Sequence, residues 1–151
     1  MAENGGISHL SEFLDDRIGT HVRRITRLLI DTKAAALQPL GITVPQYSTL
    51  LSIKHLEPSS AAQLSRTGLG TPQSIATMLS TLEGKGLISR QASPMHQKLV
   101  EVRLTRLGEK TVDEADQLAA GIEADLRKAI GEEHFNSIIA IERVAKELFQ
   151  K

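Results

Sequence analysis

Gln73, Thr77 and Thr81 fall four residues apart, and Ser74 sits beside the first of them. On a helix these side chains share one face. Their chemistry is that of amide and hydroxyl groups: Gln pairs bidentately with adenine, and Ser or Thr reaches base edges or phosphates. Thr71 and Pro72 open that helix, and its first free N–H groups, with the helix dipole, make a phosphate site. Arg66, Arg90, Lys98 and Arg103 flank the same stretch with cations. The pattern points to nucleic-acid recognition rather than covalent chemistry. No G-x-S-x-G elbow, H-E-x-x-H pair, Walker loop or Rossmann glycine pattern occurs, so no enzyme and no cofactor is expected. "GLGTP" (68–72) lacks the glycine spacing and the lysine of a phosphate-binding loop. With no cysteine, thiolate metal sites, disulfides and thiol redox sensing are excluded. His9 with Glu12, and His134 after Glu132 and Glu133, offer no His-x3-His pair, and no metal site is expected.

Those residues need elements to hold them. From Leu10 to about Gln38 apolar residues recur three and four apart (Leu10, Leu14, Ile18, Val22, Ile25, Leu28, Leu29, Ala36), which predicts one long amphipathic helix. Pro39 ends it. Thr43 is placed to cap a second helix, with Pro45 in its first turn. Ser59 or Ser60 caps a short third helix, Gly68 and Gly70 close it, and Thr71 caps the helix that carries the polar face. Two short helices joined by a glycine-containing turn make a helix-turn-helix. Leu87 and Ile88 then begin a strand, Ser93–Gln97 form a tip, and Lys98–Leu104 return as an alternating strand. Thr105 caps a last long helical region, interrupted at Gly131. A helix-turn-helix followed by two strands is a winged helix, mainly α with a two-stranded β wing.

Length fits one domain with extended arms. Only 3% of the 151 residues are aromatic and none is Trp, so aliphatic packing must supply the core. Net charge is zero but unevenly spread. Residues 43–105 hold six basic side chains against three acidic, whereas residues 106–151 hold seven against ten. A basic centre between neutral and acidic arms suits a phosphate-contacting module. The opening "MAENGGIS" does not resemble a signal peptide, and the uncharged run from Ala34 to Ile53 is broken by Pro39, Gly41 and Pro45. A cytoplasmic protein without a membrane span is expected.

Over nearly its whole length the chain resembles the MarR family of transcriptional regulators. The residues that carry the resemblance are "GITVPQYSTLLSI" (41–53), "AAQLSRTGLGTPQSIATMLSTLEGKGLISR" (61–90) and "VRLTRLGEK" (102–110). The resemblance implies a homodimer, usually a repressor, that binds a palindromic site on double-stranded DNA. It also implies release by a small aromatic or carboxylate effector. Dimerisation helices would occupy 1–42 and 106–151, and the winged helix-turn-helix 43–105. DNA contacts would come from Arg66, Thr71, Gln73, Ser74, Thr77, Arg90, Gln97 and Lys98. Two departures stand out. Where the family carries Asp-Pro-x-Asp-Arg-Arg at the wing tip, this chain has Ser93-Pro94-Met95-His96-Gln97-Lys98. Thr77 also replaces the arginine usual in the middle of the recognition helix. Weaker, less salt-sensitive DNA binding is the physical expectation. The alternative is a winged-helix scaffold acting mainly through a small molecule or protein partner.

Arg17, His21 and Arg24 at i, i+4 and i+7 predict a cationic strip on the first helix. With Tyr47 and Leu51 from the second, they are the candidate effector-binding residues; the alternative is ion pairing between subunits with acids such as Asp15, Asp16 or those of the C-terminal helices.

Overall fold

The computed structural model describes Leu10 and residues 13–94 and 100–150. In chain order it comprises α1 (Ile18–Leu37), a 3-10 turn (Gln38–Leu40), α2 (Val44–Leu56), α3 (Ala61–Ser65), α4 (Pro72–Gly84), β1 (Ile88–Ala92), β2 (Val100–Leu104) and α5 (Arg106–Phe149). The expected mainly α winged helix is what forms. No helix among the described residues is long and apolar enough to cross a membrane.

Four hydroxyl residues start helices as their positions predict. Thr43 accepts from the N–H of Gln46 at 3.3 Å, while the Gln46 side chain accepts from the N–H of Thr43 at 3.1 Å. Ser60 and Gln63 form the same reciprocal box at α3. Thr71 accepts from the N–H of Ser74 at 3.2 Å, and Thr105 from that of Gly108 at 3.0 Å. Each cap satisfies a donor the helix leaves orphaned and contributes about 1 kcal/mol. Gly86 closes α4 in the left-handed region (φ 70). Its N–H donates to Glu83 O at 2.8 Å and that of Leu87 to Leu82 O at 3.0 Å. This double bond pattern reverses the chain and sends it into β1.

The strands pair antiparallel, with Ile88 opposite Leu104 and Ala92 opposite Val100. Ser59 covers the far side of β2 with a single bridge to Val102. The core lies beneath this small sheet. Leu37, Leu50, Ile53, Leu64, Leu79, Leu82, Val102 and Val112 are all fully buried. One junction leaves no clearance: a Cβ added to Gly108 would lie 1.9 Å from the carbonyl oxygen of Leu87. The N-terminus of α5 therefore rests directly on the backbone that leads into β1.

The first helix differs from expectation. Residues 13–15 are helical, but Asp16 and Arg17 break the run, and Arg17 is extended (φ −108, ψ 122) as the residue before α1. Asp15, Asp16 and Gly19 explain the break. Asp favours capping and turn conformations over helix interiors, and Gly weakens a helix by about 1 kcal/mol relative to Ala. At the other end, Gly131 interrupts α5 as expected, with φ 80 and ψ 164. Large apolar side chains remain open along both arms, among them Ile18, Val22, Ile25 and Leu28 of α1 and Ile138, Ile141, Leu148 and Phe149 of α5.

Candidate nucleic-acid interface

The turn between α3 and α4 sets the pose of the polar helix. Thr67 donates through its hydroxyl to Leu64 O at 2.7 Å, and Gly68 then takes φ 81. Gly70 lies so close to Ser74 that a Cβ there would meet its Oγ at 2.4 Å. From Thr71 the helix buries Ile75, Leu79 and Leu82 and half-buries Met78. The opposite face is solvent-exposed and carries Gln73, Ser74, Thr77, Ser80 and Thr81. Sequence spacing and structure agree on this face.

The hydroxyls on it are not idle. Thr77 donates to Gln73 O, Ser80 to Ala76 O and Thr81 to Thr77 O, each at 3.1 Å. Ser74 donates to Thr71 O at 2.9 Å. Such back-bonding is the usual resting state of Ser and Thr inside helices. Among the described residues Gln73 alone on this face has a side-chain amide with no hydrogen bond.

The cations are more committed than their sequence positions suggest. Arg66 is exposed at the end of α3 and has no carboxylate partner among the described residues. Arg90, on β1, donates through Nε to Glu83 Oε2 at 2.9 Å and through Nη2 to the same oxygen. Its Nη2 also lies 3.5 Å from Ser80 Oγ. The Arg90 hydrogen bond holds the Glu83 carboxyl below the usual range, and Glu83 in turn raises the guanidinium. Arg103 donates to Glu101 at 3.0 Å. Hydrogen bonds from Ser93 and Arg103 lower the Glu101 carboxyl. Lys85 donates to Gly41 O at 2.7 Å and to the Gln46 side chain at 3.0 Å. Gln97 and Lys98 lie outside the described residues.

The candidate effector residues fall into two groups. Arg17 is not on α1, so the predicted strip of three cations on one helix does not form. Instead Arg24 pairs with the Asp15 carboxylate, His21 Nε2 lies 2.7 Å from Asp15 O, and Arg17 stacks over Phe13 at 4.5 Å. Tyr47 faces the other way: its hydroxyl donates to Asp116 of α5 at 2.7 Å. Burial, reinforced by that hydrogen bond and by the charge of Asp116, strongly weakens the phenol as an acid. Leu51 packs against the core beside it. No hydrogen bond, ion pair or ring contact joins the two groups among the described residues.

Acidic residues of α5 define its contacts with α1 and α2, and these were not singled out from sequence. Asp113 pairs with Lys54, Asp116 with Tyr47, and Glu123 with Lys33. Their signal is the recurrence at 113, 116 and 123, three and seven residues apart on one helix, opposite donors of α1 and α2. Beside the last pair, Ile25, Leu28, Leu29, Thr32, Ile122 and Leu126 line an apolar recess of about 280 Å³ between α1 and α5.

Three comparisons with known proteins bear on this arrangement. The family model described as MarR matches residues 42–100. An HTH-type transcriptional repressor of Mycobacterium tuberculosis is 30% identical over 110 residues, covering 73% of this chain and 79% of the relative. Among solved structures, the transcriptional repressor CouR bound to a 23-mer DNA duplex superposes with a TM-score of 0.77. It is 24% identical over 87% of this chain and 93% of its own. CouR from Rhodococcus jostii RHA1 bound to p-coumaroyl-CoA gives 0.78, at 22% identity over 91% and 96% of the two chains. At these identities the two structures establish a shared architecture.

Proposed function

The chain belongs to the MarR family, and on that premise we propose that it is a sequence-specific DNA-binding repressor whose operator affinity a small molecule modulates. The observation that carries this is the exposed polar face of α4, seated on a buried apolar face and flanked by the wing. In this proposal α4 enters the major groove and Gln73, Ser74 and Thr77 meet base edges. Thr71 and the α4 N-terminus meet phosphate, and Arg66, Arg90, Gln97 and Lys98 lie along the backbone. Residues 43–105 form the DNA-binding module, while 1–42 and 106–151 join two protomers through the open apolar faces of α1 and α5. Two-fold pairing then matches a palindromic operator. The protein acts by binding rather than by catalysis.

Effector control follows from linkage. A ligand that prefers one spacing of the two recognition helices weakens or strengthens DNA binding by its differential affinity for that spacing. The apolar recess between α1 and α5, lined by Ile25, Leu28, Leu29, Thr32, Ile122 and Leu126, suits an aromatic body. In this scheme Arg24 meets a carboxylate only by releasing that of Asp15, His21 by leaving the Asp15 carbonyl, and Arg17 from its place over Phe13.

A second reading has an observation behind it. Arg90 and Arg103 are already paired with carboxylates, and the wing tip lacks the family's arginines, so the scaffold would work chiefly through a small molecule or protein partner. A fluorescence-anisotropy titration separates the two. The probes are duplex DNA from upstream of the protein's own gene and an unrelated duplex, at two salt concentrations. Selective binding at physiological salt supports the repressor. Equal, weak binding to both probes that salt erases supports the scaffold.

A further inference from the structure

Four cations lie on or around the α4–wing face among the described residues, and three are engaged within the chain: Lys85, Arg90 and Arg103. The Arg90 pair is the most telling. Glu83 stands in the last turn of α4 and Arg90 in the middle of β1, opposite Val102. The left-handed turn at Gly86 folds the wing back so that the two meet. Two donors of one guanidinium converge on Oε2 of Glu83, while both side chains stay about one-third exposed (34% and 38%). An ion pair this open adds little to folding stability. Its electrostatic effect on an approaching polyanion is larger. Glu83 puts a negative charge on the face and engages the one wing-strand cation nearest α4.

We propose that Glu83 governs how much of the Arg90 charge reaches nucleic acid: in the free protein Arg90 is committed to Glu83, and it contacts a phosphate only by leaving that carboxylate. This rests on the assignment of the α4–wing face as the DNA surface. Glu83 is thus a restraining residue that lowers affinity and flattens the dependence on salt, without itself touching base or phosphate. The amide of Glu83→Gln has nearly the same shape and still accepts a hydrogen bond from Arg90. It therefore leaves the guanidinium in place while removing the competing charge.

The test compares the full-length wild type, Glu83→Gln, and Glu83→Gln combined with Arg90→Gln. Each is titrated with the same duplex between about 50 and 200 mM salt, eluted from heparin, and melted. Glu83→Gln is expected to bind about tenfold more tightly at the low-salt end. Its log–log salt slope should steepen by about one per protomer, so about two for a dimer. The double variant should return close to the wild type, and the melting temperature of Glu83→Gln should stay near that of the parent. An unchanged or shallower slope for Glu83→Gln overturns the proposal, as does a large drop in melting temperature with no change in slope. If the wild type binds no DNA even at low salt, the DNA surface itself is misassigned, and heparin decides the local question. Later elution of Glu83→Gln, reversed in the double variant, supports restraint of Arg90; coincident elution of all three overturns it.

Discussion

Between Ile42 and Leu104 the large aliphatic side chains are mostly inside: Ile42, Leu50, Ile53, Leu64, Ile75, Leu79, Leu82, Ile88 and Val102 are all buried. Along α1 and the second half of α5 the same residue types lie open, Leu28 at 67% exposure and Leu148 at 60%. The contrast is one of geometry rather than composition. In the module, helices cross and a small sheet closes over them, so each apolar stripe meets another. The arms run past the module, and a helix of 20 residues such as α1 has nothing within the chain to cover its full stripe. Exposed apolar surface on this scale marks an interaction face. The module's core closes within the chain, completed by Leu37 of α1 and by Val112, Ala115 and Ala119 of α5, whereas the outer stripes of the arms find no cover among the described residues.

The largest expected effects test that division. Leu50→Ala, at a fully buried site of α2, should cost about 3 kcal/mol of unfolding free energy in a denaturant titration. Leu28→Ala on α1 should cost the isolated fold less than about 0.5 kcal/mol. Equal losses would mean that the arm is packed within its own chain. Next, Ile138→Asp with Ile141→Asp is expected to shift sedimentation equilibrium toward monomer by at least tenfold in dissociation constant. Helical circular dichroism should be retained. An unchanged mass distribution would place the dimer contact elsewhere.

Smaller effects fall on the module. Thr71→Ala removes the α4 cap and should lower stability by about 1 kcal/mol, read from the shift in denaturant midpoint. The least effect at neutral pH belongs to the Tyr47 hydroxyl. The chain has one Tyr and no Trp, so phenolate absorbance near 295 nm reports this side chain alone. Folding raises its pKa, so its stabilising share is complete below the ordinary phenol value of about 10 and is lost as pH rises above it. In alkaline titration phenolate should therefore appear together with loss of helix. Phenolate forming at about pH 10 in the folded protein would place Tyr47 in solvent.

How much of this is readable before folding depends on the range of each interaction. The caps at Thr43, Ser60, Thr71 and Thr105 are legible because donor and acceptor lie within three residues. The polar face of α4 is legible because helical period alone assigns it. The break at Arg17 is not, since the apolar period runs straight through it and Asp15, Asp16 and Gly19 weigh against that period only locally. Glu83 meeting Arg90, and Asp116 meeting Tyr47, depend on how elements cross in space. A list of charges along the chain therefore overstates the free cations near α4. It also leaves the acids of α5 looking like ordinary solvated residues.

The contact between Gly108 and Leu87 has a mechanical meaning. Thr105 N–H donates to Leu87 O at 3.0 Å, its hydroxyl donates to Gly86 O at 2.6 Å, and Gly108 has no room to slide. These contacts pin the foot of α5 to the root of the wing, an arrangement in which α5 would act on the wing as the handle of a crank. The five residues of β1 span about 17 Å. A rotation of α5 by about 10° at the weld would sweep the far end of that strand through about 3 Å, comparable to the length of a hydrogen bond. A tilt of the arm carried through this junction would steer the wing.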